Sequence, residues 1–122
     1  MPARSLRILV VDDQPAFREV ARSVLEARGH EVVAEAGDAA TALDALARTA
    51  PDAVMLDKCL GAESGFDVAR ALTQARPGLP VILVSADDSG VCDAGVRACG
   101  ARAFVLKPRL LEADLEQLWL TA

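Results

Sequence analysis

Four unbroken apolar tetrads constrain this chain more than any other feature: Ile8-Leu9-Val10-Val11, Ala53-Val54-Met55-Leu56, Val81-Ile82-Leu83-Val84 and Ala103-Phe104-Val105-Leu106. A strand with one wet face alternates apolar and polar residues, whereas a strand covered on both faces does not. The tetrads therefore predict the interior of a parallel sheet. A fifth segment, Val32-Val33-Ala34, is shorter and flanked by Glu31 and Glu35, which predicts an edge strand.

The intervening segments carry helical periodicity. Phe17, Val20, Ala21, Val24 and Leu25 form an i, i+3, i+4, i+7, i+8 stripe that closes at Gly29 as a C-terminal cap. A second helix is predicted from about 39 to 50, with Leu43 and Leu46 inward and Pro51 as its stop. A third runs from Ser64 as N-cap through Phe66, Ala69 and Leu72. The stretch 89–100 holds three glycines, so a helix there is the least stable of the set. The last helix is read from Leu111, Leu115, Leu118 and Trp119. Strands alternating with helices at this spacing make five βα units, an open α/β sandwich whose ligands bind outside the C-terminal strand ends.

Length and composition narrow the field. At 122 residues and 52% hydrophobic, the chain has room for one domain, 1–122, with a core of its own. A formal charge of −5 argues against direct nucleic-acid binding, which needs a basic patch. Cys59, Cys92 and Cys99 are odd in number and lack metal-ligand spacing, so a reducing, cytoplasmic setting is expected. No apolar run is long enough to span a bilayer, and residues 1–7 carry two arginines without an apolar signal core, so no membrane partner is expected. The only two lysines are Lys58 and Lys107, which suggests that lysine is kept where arginine would not serve.

The residue after each tetrad stands at the carboxyl edge of the sheet. These residues are Asp12, Asp57, Ser85 and Lys107, with Asp13 beside Asp12. Polar residues often mark strand ends, and any one of the four alone fits that reading. That bias does not explain a lysine, nor three carboxylates gathered where their repulsion is largest. Such carboxylates need a cation between them. Oxygen donors without a histidine or cysteine cluster favour Mg²⁺, which keeps waters and partners phosphoryl groups. The Lys107 ammonium and the Ser85 hydroxyl suit phosphoryl oxygens, and Asp57, central in chain order, is read as the nucleophile of an aspartyl phosphate.

At these residues the sequence resembles the receiver domain of bacterial two-component response regulators, over nearly its whole length. The matching pieces are Leu9-Val10-Val11-Asp12-Asp13, Val54-Met55-Leu56-Asp57, Val84-Ser85-Ala86 and Phe104-Val105-Leu106-Lys107-Pro108. The resemblance implies a flavodoxin-like, doubly wound fold with strand order 2-1-3-4-5. It implies Mg²⁺-dependent phosphoryl transfer to Asp57 from the phosphohistidine of a sensor histidine kinase or phosphotransfer protein. It implies metal ligation by Asp13 and Asp57 directly, by Asp12 mostly through water, and by the backbone carbonyl of Cys59. It also implies a switch in which the Ser85 hydroxyl moves to the phosphoryl group and Phe104 turns inward. The surface of the fourth helix, fifth strand and fifth helix then changes shape for a downstream output protein or domain, or for a phosphorylation-dependent homodimer. A cis Lys107-Pro108 bond is a further implication.

Several positions depart from the family pattern. Leu60-Gly61 stands where the family often has Met-Pro, which predicts a looser loop. Cys59 and Asp87 occupy the positions that the family uses to control dephosphorylation, which predicts an unusual aspartyl-phosphate lifetime. Lys58 is read as a solvent-facing neighbour of the nucleophile. The only histidine, His30, follows the capping glycine in a predicted loop, so the phosphodonor is expected to be another protein. The domain is read as a phosphoacceptor that catalyses only its own phosphorylation and dephosphorylation. Two alternatives are a Mg²⁺-dependent aspartate-nucleophile phosphatase and a never-phosphorylated interaction module. The phosphatase reading is weakened because no second Asp stands two residues after Asp57.

Overall fold

In the computed structural model, which describes residues 5–120, the first three apolar tetrads are buried strands, whereas the fourth, Ala103–Leu106, is a half-buried strand at a sheet edge, because only one side of it has a neighbouring strand. The strands are β1 (Arg7–Val11), β2 (Glu31–Ala36), β3 (Ala53–Asp57), β4 (Val81–Ser85) and β5 (Ala103–Leu106). They form one parallel sheet in the order β2-β1-β3-β4-β5, with the glutamate-flanked strand at one edge as its sequence predicts.

Alternate residues of each central strand feed two separate cores. Leu9, Val11, Leu56 and Leu83 pack with Ala42 and Leu46 of α2 (Ala39–Thr49), Val68 and Leu72 of α3 (Gly65–Ala75), and Val96 of α4 (Asp93–Ala98). Ile8, Val10, Met55 and Ile82 pack with Ala21 and Leu25 of α1 (Pro15–Ala27) and with Leu115 and Trp119 of α5 (Leu115–Leu120). A fully buried Leu-sized side chain contributes roughly 1.5–3 kcal/mol. Two cores of this kind can carry the cost of gathering like charges at one strand edge.

Local signals explain the helix ends. The turn after α1 is a Schellman motif: His30 N–H donates to Leu25 O and Gly29 N–H to Glu26 O, with Gly29 at φ +87°. Helix α2 is capped by Asp38, whose carboxylate accepts the Thr41 N–H at 2.8 Å, and α3 by Ser64, whose hydroxyl accepts the Phe66 N–H at 3.2 Å.

Five further expectations need correction. Val20 is 52% exposed, because α1 rests on the sheet through the narrower Ala21, Val24 and Leu25 face. Leu111 is 75% exposed and lies before α5, which spans only Leu115–Leu120 among the described residues. The Lys107-Pro108 bond is trans, since a 3₁₀ turn over Lys107–Arg109 already carries the ammonium to the carboxylates. The loop containing Leu60-Gly61 is a hairpin, pairing Cys59 with Ser64 and Leu60 with Glu63 around a Gly61 at φ +62°. Lys58 is buried, as described below. The glycine-rich stretch does form a helix, but of only six residues, with the Cys92 sulfur accepting the Gly95 N–H at 3.4 Å. Of the residues read for a signal core, 1–4 lie outside the described ones.

Candidate functional site

The strand order brings the ends of β1 and β3 side by side and delivers their carboxylates to one place. Carboxylate oxygens of Asp12, Asp13 and Asp57 all lie within 4.8 Å of one another, with Asp12 and Asp57 buried and Asp13 exposed. The Lys107 ammonium, arriving from the end of β5, lies 2.8 Å from Asp12 Oδ2 and 3.1 Å from Asp57 Oδ2. Both contacts are ion pairs, and the one to Asp57 is also a hydrogen bond. Below the ammonium sits the Phe17 ring, 4.0 Å away, so a residue read as core also supports the cation.

Backbone donors fix the remaining carboxylate oxygens. Cys59 N–H donates to Asp57 Oδ1 at 3.0 Å, and Gln14 N–H donates to Asp12 Oδ1 at 2.8 Å. Burial pushes the Asp12 carboxyl above its ordinary value, against the opposing pull of Lys107. Burial works against the charge on Lys107 too, but its carboxylate partners outweigh it and hold the ammonium above its usual value.

Three carboxyl groups face one ammonium, an excess of acidic groups over cation at the strand edge, with Asp12 and Asp57 buried and Asp13 exposed. The donors are all hard oxygens. Such a set fits a divalent cation of the Mg²⁺ kind, and Asp12, Asp13 and Asp57 are the side chains that would hold it.

Ser85 ends β4 next to Asp57, buried, with its hydroxyl accepting the Asp87 N–H at a long 3.4 Å. Among the described residues that hydroxyl makes no hydrogen bond to the carboxylates. Phe104 is half-buried, packs against the α2–α4 core, and lines a 660 Å³ pocket with Val91, Val96 and Arg97.

Two residues at the site were invisible to motif reading. Gly65 N–H donates to Lys58 O at 2.6 Å, and a Cβ on Gly65 would stand 2.1 Å from the Asp57 carbonyl oxygen. Only glycine permits this approach, which closes the hairpin onto the end of β3. Lys58, read as solvent-facing, is 8% exposed. Its ammonium lies 2.7 Å from Ser89 O and 3.1 Å from Asp87 Oδ1. Asp87 is in turn held at a pKa lowered to about 2, by the Ser89 hydroxyl and N–H first and by Lys58 next. No sequence motif announces this arrangement; a lone second lysine beside an aspartate was its only sign.

Comparison with known proteins agrees with this geometry. The model of the response regulator receiver domain family matches residues 8–118. Response regulator MprA of Mycobacterium sp. (strain KMS) is 37% identical over 113 residues, covering 93% of this chain and 49% of its own. The sensory/regulatory protein RpfC of Xanthomonas campestris pv. campestris (strain 8004) is 38% identical over 122 residues, covering 94% of this chain and 16% of its own. The chain thus spans less than half the length of these relatives. A two-component response regulator of the LuxR family from Aurantimonas sp. SI85-9A1 superposes with a TM-score of 0.84 at 30% identity, over 94% of this chain and 86% of that one. With acidic residues and a lysine gathered at the carboxyl edge of a 2-1-3-4-5 sheet, and a family match over nearly every described residue, this chain belongs to the receiver domains of two-component response regulators.

Proposed function

We propose that this receiver takes a phosphoryl group onto Asp57 from the phosphohistidine of a sensor histidine kinase or phosphotransfer protein. The observation that carries the reading is how Asp57 is held: one oxygen by the Cys59 N–H, the other by the Lys107 ammonium, beside the acidic pair Asp12 and Asp13. Asp12, Asp13, Asp57 and the backbone carbonyl of Cys59 would hold Mg²⁺, which would supply charge neutralisation for the carboxylates and the incoming phosphoryl oxygens.

In the transfer, an Asp57 carboxylate oxygen forms the new O–P bond as the P–N bond of the donor breaks. The electron pair of that bond returns to the imidazole nitrogen, which leaves. No proton has to be taken from Asp57. Lys107 trades part of its carboxylate contact for the phosphoryl oxygens, and the Ser85 hydroxyl donates to another of them. As Ser85 moves, Phe104 turns into the vacated space. The pocket along α4, β5 and the start of α5 changes shape and is read by a downstream output protein or domain, or by a second copy of the chain. The domain is proposed to act in the cytoplasm, without contacting nucleic acid itself, as a single receiver over 1–122.

The test is incubation with Mg²⁺ and acetyl phosphate. An acid-stable, base-labile adduct lost in Asp57→Asn supports the reading. Absence of an adduct would favour an interaction module, and rapid turnover of a diffusible phosphomonoester would favour a phosphatase.

A further inference from the structure

Lys58 has no part in the transfer just described, yet it is the more deeply buried of the two lysines. Its backbone is held from both sides. The N–H donates to Val84 O on β4 at 2.8 Å, and the carbonyl accepts the Gly65 N–H. From that anchor the side chain reaches across the sheet edge to the turn that follows Ser85. There the ammonium donates to Ser89 O at 2.7 Å and Asp87 Oδ1 at 3.1 Å, with Asp87 O and Ser89 Oγ both at 3.4 Å. Asp87 Oδ1 also accepts the Ser89 N–H at 3.0 Å and the Ser89 hydroxyl at 2.5 Å. Four oxygens from two residues therefore converge on one cation.

The turn has little else to hold it. Residues 86–90 are exposed and α4 beyond them is only six residues long. Ser85 itself touches the turn only through the long Asp87 N–H contact. An exposed ion pair alone would contribute little. This ammonium is buried and bonds two main-chain carbonyls as well, which makes it a fastener of backbone rather than a surface pair.

We propose that Lys58 is the positioning residue for Ser85: its ammonium pins the 86–89 turn to the phosphoacceptor strand, so that the Ser85 hydroxyl starts each transfer within reach of the phosphoryl group. The proposal rests on the phosphoryl-acceptance reading above. Without the pin, the turn samples more positions, and ordering it consumes the stabilisation that Ser85 offers. Asp87 then serves Lys58 and Ser89 instead of standing free over the site.

A double-mutant cycle tests this, with the rate of Asp57 phosphorylation by acetyl phosphate in Mg²⁺ as the readout. Ser85→Ala is expected to slow wild type about tenfold, but a Lys58→Met background by less than about twofold. Asp87→Asn keeps both carbonyl contacts and stands at an exposed position, so folding is spared; in it the Ser85→Ala effect is expected to be intermediate. Lys58→Arg, which keeps a cation for the same oxygens, is expected to restore most of the wild-type Ser85→Ala effect. A purely structural lysine would lower the melting temperature and leave the Ser85→Ala ratio unchanged. Ratios equal in all four backgrounds overturn the proposal while leaving phosphoryl acceptance intact. A wild-type protein that takes up no phosphoryl group overturns both.

Discussion

The two ends of the sheet are built from opposite electrostatic choices. At the amino end, guanidinium groups meet main-chain carbonyls, most of them more than one each. Arg7 bonds Ala50 O and Thr49 O, Arg28 bonds Ala113 O and Leu111 O, Arg76 bonds Pro51 O, and Arg102 bonds Trp119 O and Gly78 O. His30 accepts the Leu6 N–H, and Trp119 donates to Val54 O. At the carboxyl end, three carboxylates crowd one ammonium. The planar guanidinium suits paired carbonyls, and the compact ammonium suits converging anions. Both lysines fall at the carboxyl end, but only Lys107 sits among converging carboxylates; Lys58 bonds two main-chain carbonyls and a single carboxylate. One end is built for stability, and the other spends stability to keep its carboxylates gathered at one place.

Substitutions at the two ends should therefore differ in kind. Trp119→Ala empties a fully buried position at the amino end and is expected to cost about 3–5 kcal/mol in denaturant unfolding, while folded molecules still accept phosphate. Asp57→Asn should reverse that pattern: no stability loss, and adduct formation lowered by at least about 100-fold.

Asp12→Asn sharpens the contrast. The buried Asp12 carboxyl holds its proton to higher pH when folded than when unfolded, since its ordinary value of 3.8 is raised. Across the window between those two values the folded state binds more protons, so stability falls as pH rises through it. At neutral pH without metal, Asp12→Asn is expected to be more stable than wild type by about 1 kcal/mol, with weakened Mg²⁺ binding. That stability gain should shrink as pH drops below the window. The smallest effect belongs to neither end: Arg48→Ala, in a pair with Asp44 where both side chains are more than 60% exposed, should change stability by under about 0.5 kcal/mol.

Much of this contrast was legible in the residues. Three of the four tetrads without alternation are strands buried on both faces, the fourth being a half-buried edge strand, and the polar residue after each one places a group at the carboxyl edge. Asp12, Asp13, Asp57 and Lys107 meet where that logic puts them. The failures come from properties that composition does not encode. Val20 follows helical period yet faces water, because the stripe is wider than the contact. Lys58 was read as solvated because lysine usually is, and its burial depends on acceptors 29 and 31 residues away. Gly65 is required by a backbone approach that exists only once β3 and the hairpin have folded together. Trans geometry at Lys107-Pro108 shows that a 3₁₀ turn can deliver the same ammonium.

The most direct test of the account locates the phosphoryl group by chemistry. Protein treated with acetyl phosphate and Mg²⁺ is reduced with borohydride, which converts a phosphorylated aspartate to homoserine, and the peptides are sequenced by mass spectrometry. The account predicts homoserine at position 57 alone. Homoserine at position 12 or 13, or at no position, would contradict it.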